Sequence, residues 1–196
     1  MNQFAVNVGV LALQGGFAEH QAILDKLEVA NQQVKTVEDL QKVQALIIPG
    51  GESTVMSKFL DIFNLRQPIL ERAAQGMPIF GTCAGAILLA NEIEADQKVQ
   101  PLKLIDVVIK RNAYGSQIDS FVTELEFSAL AAGQKIDGMF IRAPRFTNLG
   151  PNVEILSSYN GEPVLVRQSN ILAGTFHPEL VGETAVHEWF IKEFVA

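Results

Sequence analysis

The feature of this sequence that most constrains its fold is a series of short apolar runs separated by amphipathic segments in the first half of the chain. Residues 6–13, 45–48 and 79–82 are apolar almost throughout, as is typical of strands that are buried on both faces of a sheet. Between the first two runs, residues 17–27 carry apolar side chains at helical spacing. This alternation predicts an α/β fold, in which helices cover both faces of a parallel sheet.

The remaining elements follow from the same patterns. We expect a short strand at 34–37, helices over 53–63, 65–74, 84–92 and 184–195, and strands at 104–110, 120–127, 138–142, 153–159, 163–168 and 171–175. Asn160-Gly161 indicates a hairpin turn between two of these strands. Since no linker or repeat interrupts the pattern, residues 1–196 are expected to form a single domain around a central mixed, mostly parallel sheet flanked by helices.

Composition and charge restrict the class of protein. The chain has 196 residues, of which 48% are apolar and 19% charged, as expected for a folded chain with a core of its own. Its net charge of −7 argues against nonspecific binding to nucleic acids or anionic membranes. The single cysteine allows no internal disulfide, and the apolar N-terminal run lacks a basic segment and is too short to span a bilayer. We therefore expect a cytoplasmic protein that binds neither nucleic acid nor membrane.

The single cysteine lies between a predicted strand and a predicted helix, in Gly81-Thr82-Cys83-Ala84-Gly85. This is the pattern of a nucleophile elbow, in which small residues relieve crowding where the strand meets the helix. Amides after the turn can stabilise an oxyanion, and a helix N-terminus favours a thiolate over a thiol. A free cysteine is in general more often an inert core residue. The flanking pattern here favours a reactive nucleophile.

A cysteine nucleophile needs a base, and the chain has three histidines. His177 follows a predicted strand, and Glu179 lies two residues further on, so their side chains project to the same side of an extended segment. The proline between them favours that extended geometry. An ion pair in a loop would have the same spacing, but together with the elbow the pattern predicts a triad of Cys83, His177 and Glu179. We interpret the other two, His20 and His187, as ordinary histidines on helix surfaces.

Two further stretches predict substrate contacts. Residues 49–53, Pro-Gly-Gly-Glu-Ser, follow a buried strand and should lie at the same edge of the sheet as Cys83. A phosphate loop is disfavoured because the lysine of that motif is missing, whereas a plain turn before a helix stays possible. Arg111 and Arg142 each follow an apolar strand. Such arginines are usually just solvated, but one of them, together with Glu52, would hold the carboxylate and ammonium groups of an amino acid.

Six sequence blocks, which cover nearly the whole chain, resemble the class I (triad) glutamine amidotransferases. They are LALQGGFAEH (11–20), IIPGGEST (47–54), FGTCAG (80–85), RNAYGSQIDSF (111–121), FIRAP (140–144) and FHPE (176–179). The elbow and the His-Pro-Glu block are shared by many glutaminases. The first, fourth and fifth blocks discriminate among them, and they are similar to those of the glutaminase subunits of pyridoxal 5′-phosphate synthase.

The resemblance implies a flavodoxin-like fold, no cofactor and no metal, and hydrolysis of L-glutamine to L-glutamate and ammonia through a glutamyl thioester on Cys83. By the family's pattern, backbone amides of Gly51 and Ala84 hold the oxyanion. The same pattern assigns glutamine binding to six residues: Gly51, Glu52, Ser53, Arg111, Ile141 and Arg142.

The resemblance also implies a partner. A (β/α)8-barrel synthase subunit would receive the ammonia within a hetero-oligomeric complex, make pyridoxal 5′-phosphate (vitamin B6) with it, and raise the activity of the glutaminase. The block around Gln14, Glu19 and His20 is expected to belong to this contact and to the activation that follows.

Three positions depart from the family's pattern: Gly16, where alanine is common, Lys103, where glycine is usual, and Ser116, where arginine is usual. None belongs to the predicted triad. We therefore expect any effect of Lys103 and Ser116 on local loop geometry or on a partner contact rather than on the chemistry.

Three alternatives to this prediction stay open. Cysteine hydrolases and deglycases of the PfpI type share the elbow but generally lack the late His-Pro-Glu block. A regulatory scaffold with a vestigial triad is disfavoured, because every residue that the chemistry needs is present. A glutaminase that delivers ammonia to a different synthase is distinguished only by its partner.

Overall fold

The computed structural model describes residues 6–95, 98–111, 113, 120–131 and 134–195. The strands are β1 (Asn7–Leu11), β2 (Ala30–Val34), β3 (Ala45–Ile48), β4 (Ile79–Thr82), β5 (Ala90–Ile93), β6 (Ile105–Lys110), β7 (Phe121–Glu126), β8 (Lys135–Phe140), β9 (Arg145–Leu149), β10 (Glu154–Tyr159), β11 (Glu162–Gln168) and β12 (Ile171–Gly174). The helices are α1 (Phe17–Lys26), α2 (Val37–Gln41), α3 (Ser53–Ile62), α4 (Arg66–Ala74), α5 (Ala84–Leu89) and α6 (Ala185–Phe194), and Glu179–Val181 form a 3₁₀ turn.

A seven-stranded sheet organises the fold, with the strand order β10-β11-β12-β4-β3-β1-β2. The pairs from β12 to β2 are parallel, and β10-β11 and β11-β12 are antiparallel. Every residue of β3 and β4 is buried, which explains why these strands are apolar throughout. The α/β class and the mixed, mostly parallel sheet are thus confirmed.

Two hydrophobic clusters hold helices against opposite faces of this sheet. One contains Met56 of α3, Ile69 of α4 and Leu88 of α5, together with β3 and the strands β5, β6 and β9. The other contains Leu24 of α1 and Phe190 of α6, together with β7, β8 and β10. The helices therefore flank the sheet on both sides, as the alternation of apolar and amphipathic segments predicts.

The second half of the chain differs from the expectation of one mixed sheet. The strands β5, β6 and β9 form a separate three-stranded sheet, and β7 and β8 form a two-stranded one. The prediction did not include β9, whose residues are partly exposed and largely polar. A strand on the surface of a small sheet lacks the apolar run on which the prediction depends.

Two predicted boundaries are also wrong. The strand expected at 34–37 lies at Ala30–Val34, and Thr36 instead caps α2 by accepting a hydrogen bond from the Asp39 amide. β2 is an edge strand of mostly polar residues, which hides its period. The helix expected over 84–92 ends at Leu89, where the chain enters β5.

The parallel strands bring four loops to one edge of the large sheet. β1, β3, β4 and β12 end there, and they are followed by Gln14, Pro49, Cys83 and His177 respectively. The carboxyl edge of a parallel sheet is the usual place for a ligand site in α/β folds. In the part of the chain described here, no helix is long and apolar enough to cross a membrane.

Candidate active site

The joint between β4 and α5 has the strained geometry of a nucleophile elbow. Cys83 has a φ of 48° and a ψ of −102°, a backbone conformation that costs a residue with a side chain on the order of 1–3 kcal/mol. A Cβ on Gly81 would lie 2.7 Å from the carbonyl carbon of Gly85, and a Cβ on Gly85 would lie 2.0 Å from the Ile48 carbonyl oxygen. Both glycines are therefore required by the close approach of helix and strands, as the elbow pattern predicts.

His177 and Glu179 lie against this elbow. The backbone of His177 is fixed by antiparallel bridging to Met139 of β8, with the His177 amide 2.8 Å from the Met139 carbonyl oxygen. Its Nδ1 lies 2.7 Å from Glu179 Oε1. Cys83, His177 and Glu179 are only 8%, 8% and 5% exposed. The three predicted residues of the triad are thus brought together, each of them almost completely buried.

The pKa values of His177 and Glu179 move in opposite directions. Burial lowers the pKa of His177, but hydrogen bonds and charge interactions with Cys83 and Glu179 outweigh it and raise this pKa to about 10. Burial raises the pKa of Glu179, but the electrostatic interaction with His20 and the hydrogen bond from His177 outweigh it and lower this pKa to about 2. At neutral pH the pair is therefore an imidazolium hydrogen-bonded to a carboxylate. This arrangement keeps a proton on the imidazole.

A cavity of about 380 Å³ opens above the triad, which is enough for an amino acid. It is lined by Cys83, His177 and Glu179, by Gln14 and by all six residues that the resemblance assigns to glutamine binding: Gly51, Glu52, Ser53, Arg111, Ile141 and Arg142. A larger open cleft of about 860 Å³, between the β7–β8 hairpin and β10, contains no residue of the triad. The smaller cavity is therefore the candidate active site.

One wall of this cavity is formed by the loop after β3. Glu52 caps α3 by accepting hydrogen bonds from the Thr54 and Val55 amides, and Arg111 Nη2 lies 3.4 Å from Glu52 Oε1. Partial burial raises the pKa of Glu52, but these amides and Arg111 outweigh it and lower the pKa. Gln14 closes the loop by accepting a hydrogen bond from the Glu52 amide at 2.7 Å. Glu52 and Arg111 are thus held together before any substrate binds.

Gly50, in the same loop, lies against the imidazole of His177 and against the loop that follows β1. A Cβ on Gly50 would lie 2.1 Å from His177 Cε1, so only glycine leaves the imidazole in place. The Gly50 carbonyl accepts a hydrogen bond from the Gly16 amide at 3.0 Å. Ala84 is the first residue of α5, where backbone N–H groups have no acceptor within the helix. The oxyanion hole at Gly51 and Ala84 stays a prediction.

The interpretation of His20 and His187 as helix-surface histidines is wrong. Both side chains are completely buried, and His20 lies beneath Glu179 rather than in the cavity. The signal was in the sequence: His20 is spaced three and four residues from the buried Ile23 and Leu24, and His187 is likewise spaced from Phe190 and Ile191. Each histidine therefore belongs to the apolar stripe of its helix.

Other residues that line the cavity were not predicted. Ile87 lies one helical turn after Cys83, and Leu180 directly follows Glu179; both positions could have been found from their spacing to the triad. Gly15 and Gly16 also line the cavity without having been predicted, whereas Gly50 belongs to the 49–53 stretch for which substrate contacts were expected. Among the residues that the structure describes, no cluster of three or more His, Cys, Asp or Glu side chains is arranged to hold a metal ion.

Two of the three departures from the family's pattern, Gly16 and Lys103, lie within the described residues. Lys103 has a φ of +57°, which accounts for the usual glycine at this position. A Cβ on Gly16 would lie 3.4 Å from Glu19 Oε2 and 3.9 Å from Glu179 Oε1, so there is room for the common alanine. Ser116 lies outside the described residues.

Comparisons with known proteins show which family the chain is similar to. The family model described as "SNO glutamine amidotransferase family" matches residues 10–196. Two curated proteins, both named "Pyridoxal 5'-phosphate synthase subunit PdxT", are similar over nearly their whole length. The one from Herpetosiphon aurantiacus is 50% identical, covering 95% of this chain and 99% of the relative. The one from Thermosipho africanus is 42% identical, covering 95% of this chain and 98% of the relative.

Solved structures are similar as well. A crystal structure titled as a glutamine amidotransferase superposes with a TM-score of 0.89 at 42% identity, covering 94% of this chain and 97% of that one. The PurLQS structure from Thermotoga maritima superposes with a TM-score of 0.73 at 15% identity, covering 95% of this chain and 97% of that one. The second likeness concerns the fold alone.

Proposed function

The chain belongs to the SNO glutamine amidotransferase family, and we propose that Cys83, His177 and Glu179 carry out its hydrolysis of glutamine. The enzyme is an amide hydrolase, the glutaminase subunit of a pyridoxal 5′-phosphate synthase, and L-glutamine is its substrate. The observation that carries the assignment of the triad is the 2.7 Å hydrogen bond between His177 and Glu179, directly beside the strained Cys83.

The first half of the reaction forms a thioester. The Cys83 thiolate attacks the side-chain amide carbon of glutamine, and the carbonyl electrons move to an oxygen that the amides of Gly51 and Ala84 stabilise. His177 then gives its proton to the amide nitrogen, the C–N bond breaks, and ammonia leaves. Glu179 keeps the imidazole oriented and stabilises its positive charge throughout.

The second half releases glutamate. His177, now neutral, removes a proton from a water molecule, which attacks the thioester carbon. The C–S bond breaks, and the thiolate of Cys83 and the imidazolium of His177 are restored. The net reaction consumes one water and one glutamine and yields one glutamate and one ammonia.

Substrate recognition is assigned to the other wall of the cavity. Arg111 and Arg142 offer guanidinium groups for the α-carboxylate, and Glu52 offers a carboxylate for the ammonium group. Ile141 and the Gly51-Ser53 segment enclose the side chain, so that the amide reaches Cys83. The existing Glu52–Arg111 pair at 3.4 Å supports this role, because glutamine can replace it with one contact to each partner.

The partner that receives the ammonia is the synthase subunit of the same complex, for which we propose a (β/α)8 barrel. Gln14 and Glu19 are the proposed contact residues, since the loop before α1 borders the cavity. The His20 side chain is buried and does not itself reach a partner. We further propose that residues 1–196 act as a single domain in the cytoplasm.

The test is glutamate release from glutamine by the purified chain, measured with and without the barrel synthase, beside Cys83→Ala. We expect release that rises when the synthase is added and disappears in the variant. A chain that releases no glutamate in either mixture, although Cys83 is alkylated by iodoacetamide, would contradict the assignment and favour another cysteine hydrolase. Release that rises with a different synthase instead would correct the partner alone.

A further inference from the structure

Two buried histidines form a hydrogen-bonded chain behind the triad. His20 and His187 are completely buried, on α1 and α6 respectively. His20 Nδ1 lies 2.8 Å from His187 Nε2. On its other side, His20 Nε2 lies 3.1 Å from Thr82 Oγ1 and 3.5 Å from Glu179 Oε1. The mechanism above uses neither histidine, although burying two imidazoles is costly unless their polar atoms have partners.

The position of His20 links two parts of the active site. Thr82 is the residue directly before the nucleophile Cys83, and Glu179 is the residue that orients the base. His20 contacts both through a single nitrogen atom. A donor on this nitrogen would therefore fix the end of β4 relative to the carboxylate on which His177 depends.

The hydrogen-bond partners determine which nitrogen of His20 carries the proton. Among the residues that the structure describes, the buried His187 Nδ1 has no hydrogen-bond partner, and an unpartnered lone pair is less costly there than an unpartnered N–H. His187 is therefore protonated on Nε2 and donates to His20 Nδ1. His20 is consequently protonated on Nε2 and donates to Thr82 Oγ1, while Glu179 Oε1 lies 3.5 Å from the same nitrogen.

The charges around His20 agree with a neutral donor. Glu179 and Glu19 raise its pKa, whereas burial, the largest effect, and the charge of His177 lower it, and the net direction is downward. His187, which faces it from α6, has a pKa lowered to about 3, by burial first and then by His20. Within the described structure, His177 also donates to Glu179 Oε1, at 2.7 Å, and the buried Glu179 Oε2 has no side-chain partner.

We propose that His20 is a positioning residue of the glutaminase reaction, whose Nε2–H holds the Glu179 carboxylate and Thr82 in register with Cys83, with His187 fixing the tautomer. The proposal rests on the proposed function of the triad. It assigns the buried end of the LQGGFAEH block to the chemistry rather than to direct contact with a partner.

Two variants with side chains of equal length test whether the Nε2–H of His20 is needed as a donor. His20→Gln places an N–H close to the position of Nε2, and His20→Met has the same number of side-chain atoms in line but no donor. With the synthase present, we expect kcat to fall about tenfold or more in His20→Met with KM little changed, and to return to within about threefold of wild type in His20→Gln. The acid limb of the pH profile of kcat should move to higher pH in His20→Met only, because the Glu179 carboxylate loses a donor and its pKa rises.

A second readout does not require glutamine hydrolysis. The rate of Cys83 alkylation by iodoacetamide can be followed against pH. Like the acid limb of the activity profile, this pH dependence should move to higher pH in His20→Met and return to that of the wild type in His20→Gln. Unchanged kcat and alkylation in a folded His20→Met would overturn the proposal. Equal losses in both variants would also overturn it, because they would indicate packing rather than a donor.

The wild-type chain provides a test that no folding defect can obscure. ¹⁵N NMR of the imidazoles distinguishes the two tautomers, and we expect His20 and His187 both to be protonated on Nε2 at pH 7. Protonation of His20 on Nδ1 would leave His20 with no donor facing Thr82 and Glu179 and would refute the role. Since neither this spectrum nor alkylation depends on turnover, a chain that releases no glutamate would refute the proposed function without deciding this inference.

Discussion

The two walls of the active-site cavity are built in different ways. On the hydrolytic wall, Cys83, His177 and Glu179 follow strands of the seven-stranded sheet and are almost completely buried. On the recognition wall, Arg111 and Arg142 follow β6 and β8 of the two smaller sheets and are partly exposed. The first wall is held by a buried hydrogen-bond network, and the second by an ion pair at 3.4 Å that is open to solvent.

This difference reflects two physical requirements. The chemistry needs groups that keep their geometry and charge, and burial in a rigid sheet edge strengthens every interaction between them. Binding needs groups that are open to solvent, because the substrate must reach them and replace the water molecules that solvate them. Changes on the hydrolytic wall should therefore lower kcat, whereas changes on the recognition wall should raise KM.

The largest effect is expected at the buried carboxylate. Glu179→Gln keeps the shape but removes the charge that stabilises the imidazolium, so kcat should fall on the order of 10³-fold. The pKa of His177, about 10 in the wild type, should fall as well, which ¹⁵N NMR can follow. Glu188→Gln, on the outer side of α6, is the control and should leave both unchanged. A Glu179→Gln enzyme with wild-type kcat would contradict the difference between the walls.

The buried network should also govern stability in acid. The pKa of His187 is lowered from 6.5 to about 3 by burial first, so below pH 6.5 the unfolded chain binds a proton that the folded chain does not. Stability is therefore lost as the pH falls from 6.5 towards 3, by about 1.4 kcal/mol per pH unit. His187→Phe should remove this loss. The free energy of unfolding, measured in urea, should therefore fall by about 2 kcal/mol less between pH 7 and pH 5 in the variant than in the wild type.

The same dependence in the wild type and in His187→Phe between pH 5 and pH 7 would contradict the burial of a neutral imidazole at this position. The pH-independent cost of leaving His20 Nδ1 without its donor cancels in this comparison, because it lowers stability equally at both values.

A substitution on the recognition wall should change KM for glutamine rather than kcat. Arg111→Met removes one guanidinium from the cavity, and the loss of one charge-assisted hydrogen bond should raise KM for glutamine about tenfold with little change in kcat. Lys110→Met, which removes the exposed charge of the preceding residue, is the matched control and should have no effect. A fall in kcat at unchanged KM would place Arg111 with the hydrolytic groups instead.

The smallest effect lies outside both walls. Lys103 adopts a left-handed conformation with a φ of +57°, in which a side chain is strained. Lys103→Gly should therefore raise the free energy of unfolding by about 1 kcal/mol and leave glutaminase activity unchanged. Lys103→Ala, which removes the same lysine side chain but keeps the Cβ, serves as the control. Lower stability in Lys103→Gly would show that the lysine side chain contributes more than the strain costs.

The two walls were not equally predictable from the sequence. The triad of Cys83, His177 and Glu179 was predicted from the elbow glycines and the i, i+2 spacing, and the structure places these side chains together, although their catalytic roles stay a prediction. The recognition residues were assigned by resemblance, since an arginine after a strand has no local pattern that separates it from a solvated one. The structure places all of these residues at one cavity.

What the sequence did not predict was the buried support of the site. His20 and His187 were taken for surface residues because histidine is polar, although both lie on apolar helix stripes. The polar strands β2 and β9 were misplaced or missed for a related reason. Contacts between residues 167 positions apart, such as His20 with His187, are set by tertiary packing and leave no local period.

The most direct test of the account is labelling by a chloroketone analogue of glutamine, in which a chloromethyl ketone replaces the side-chain amide. We expect one equivalent to inactivate the enzyme, with the label on Cys83 by peptide mass spectrometry, glutamine slowing the reaction, and Cys83→Ala remaining unlabelled. Labelling of another residue, or glutaminase activity that survives full modification of Cys83, would contradict the claim that this cysteine is the nucleophile.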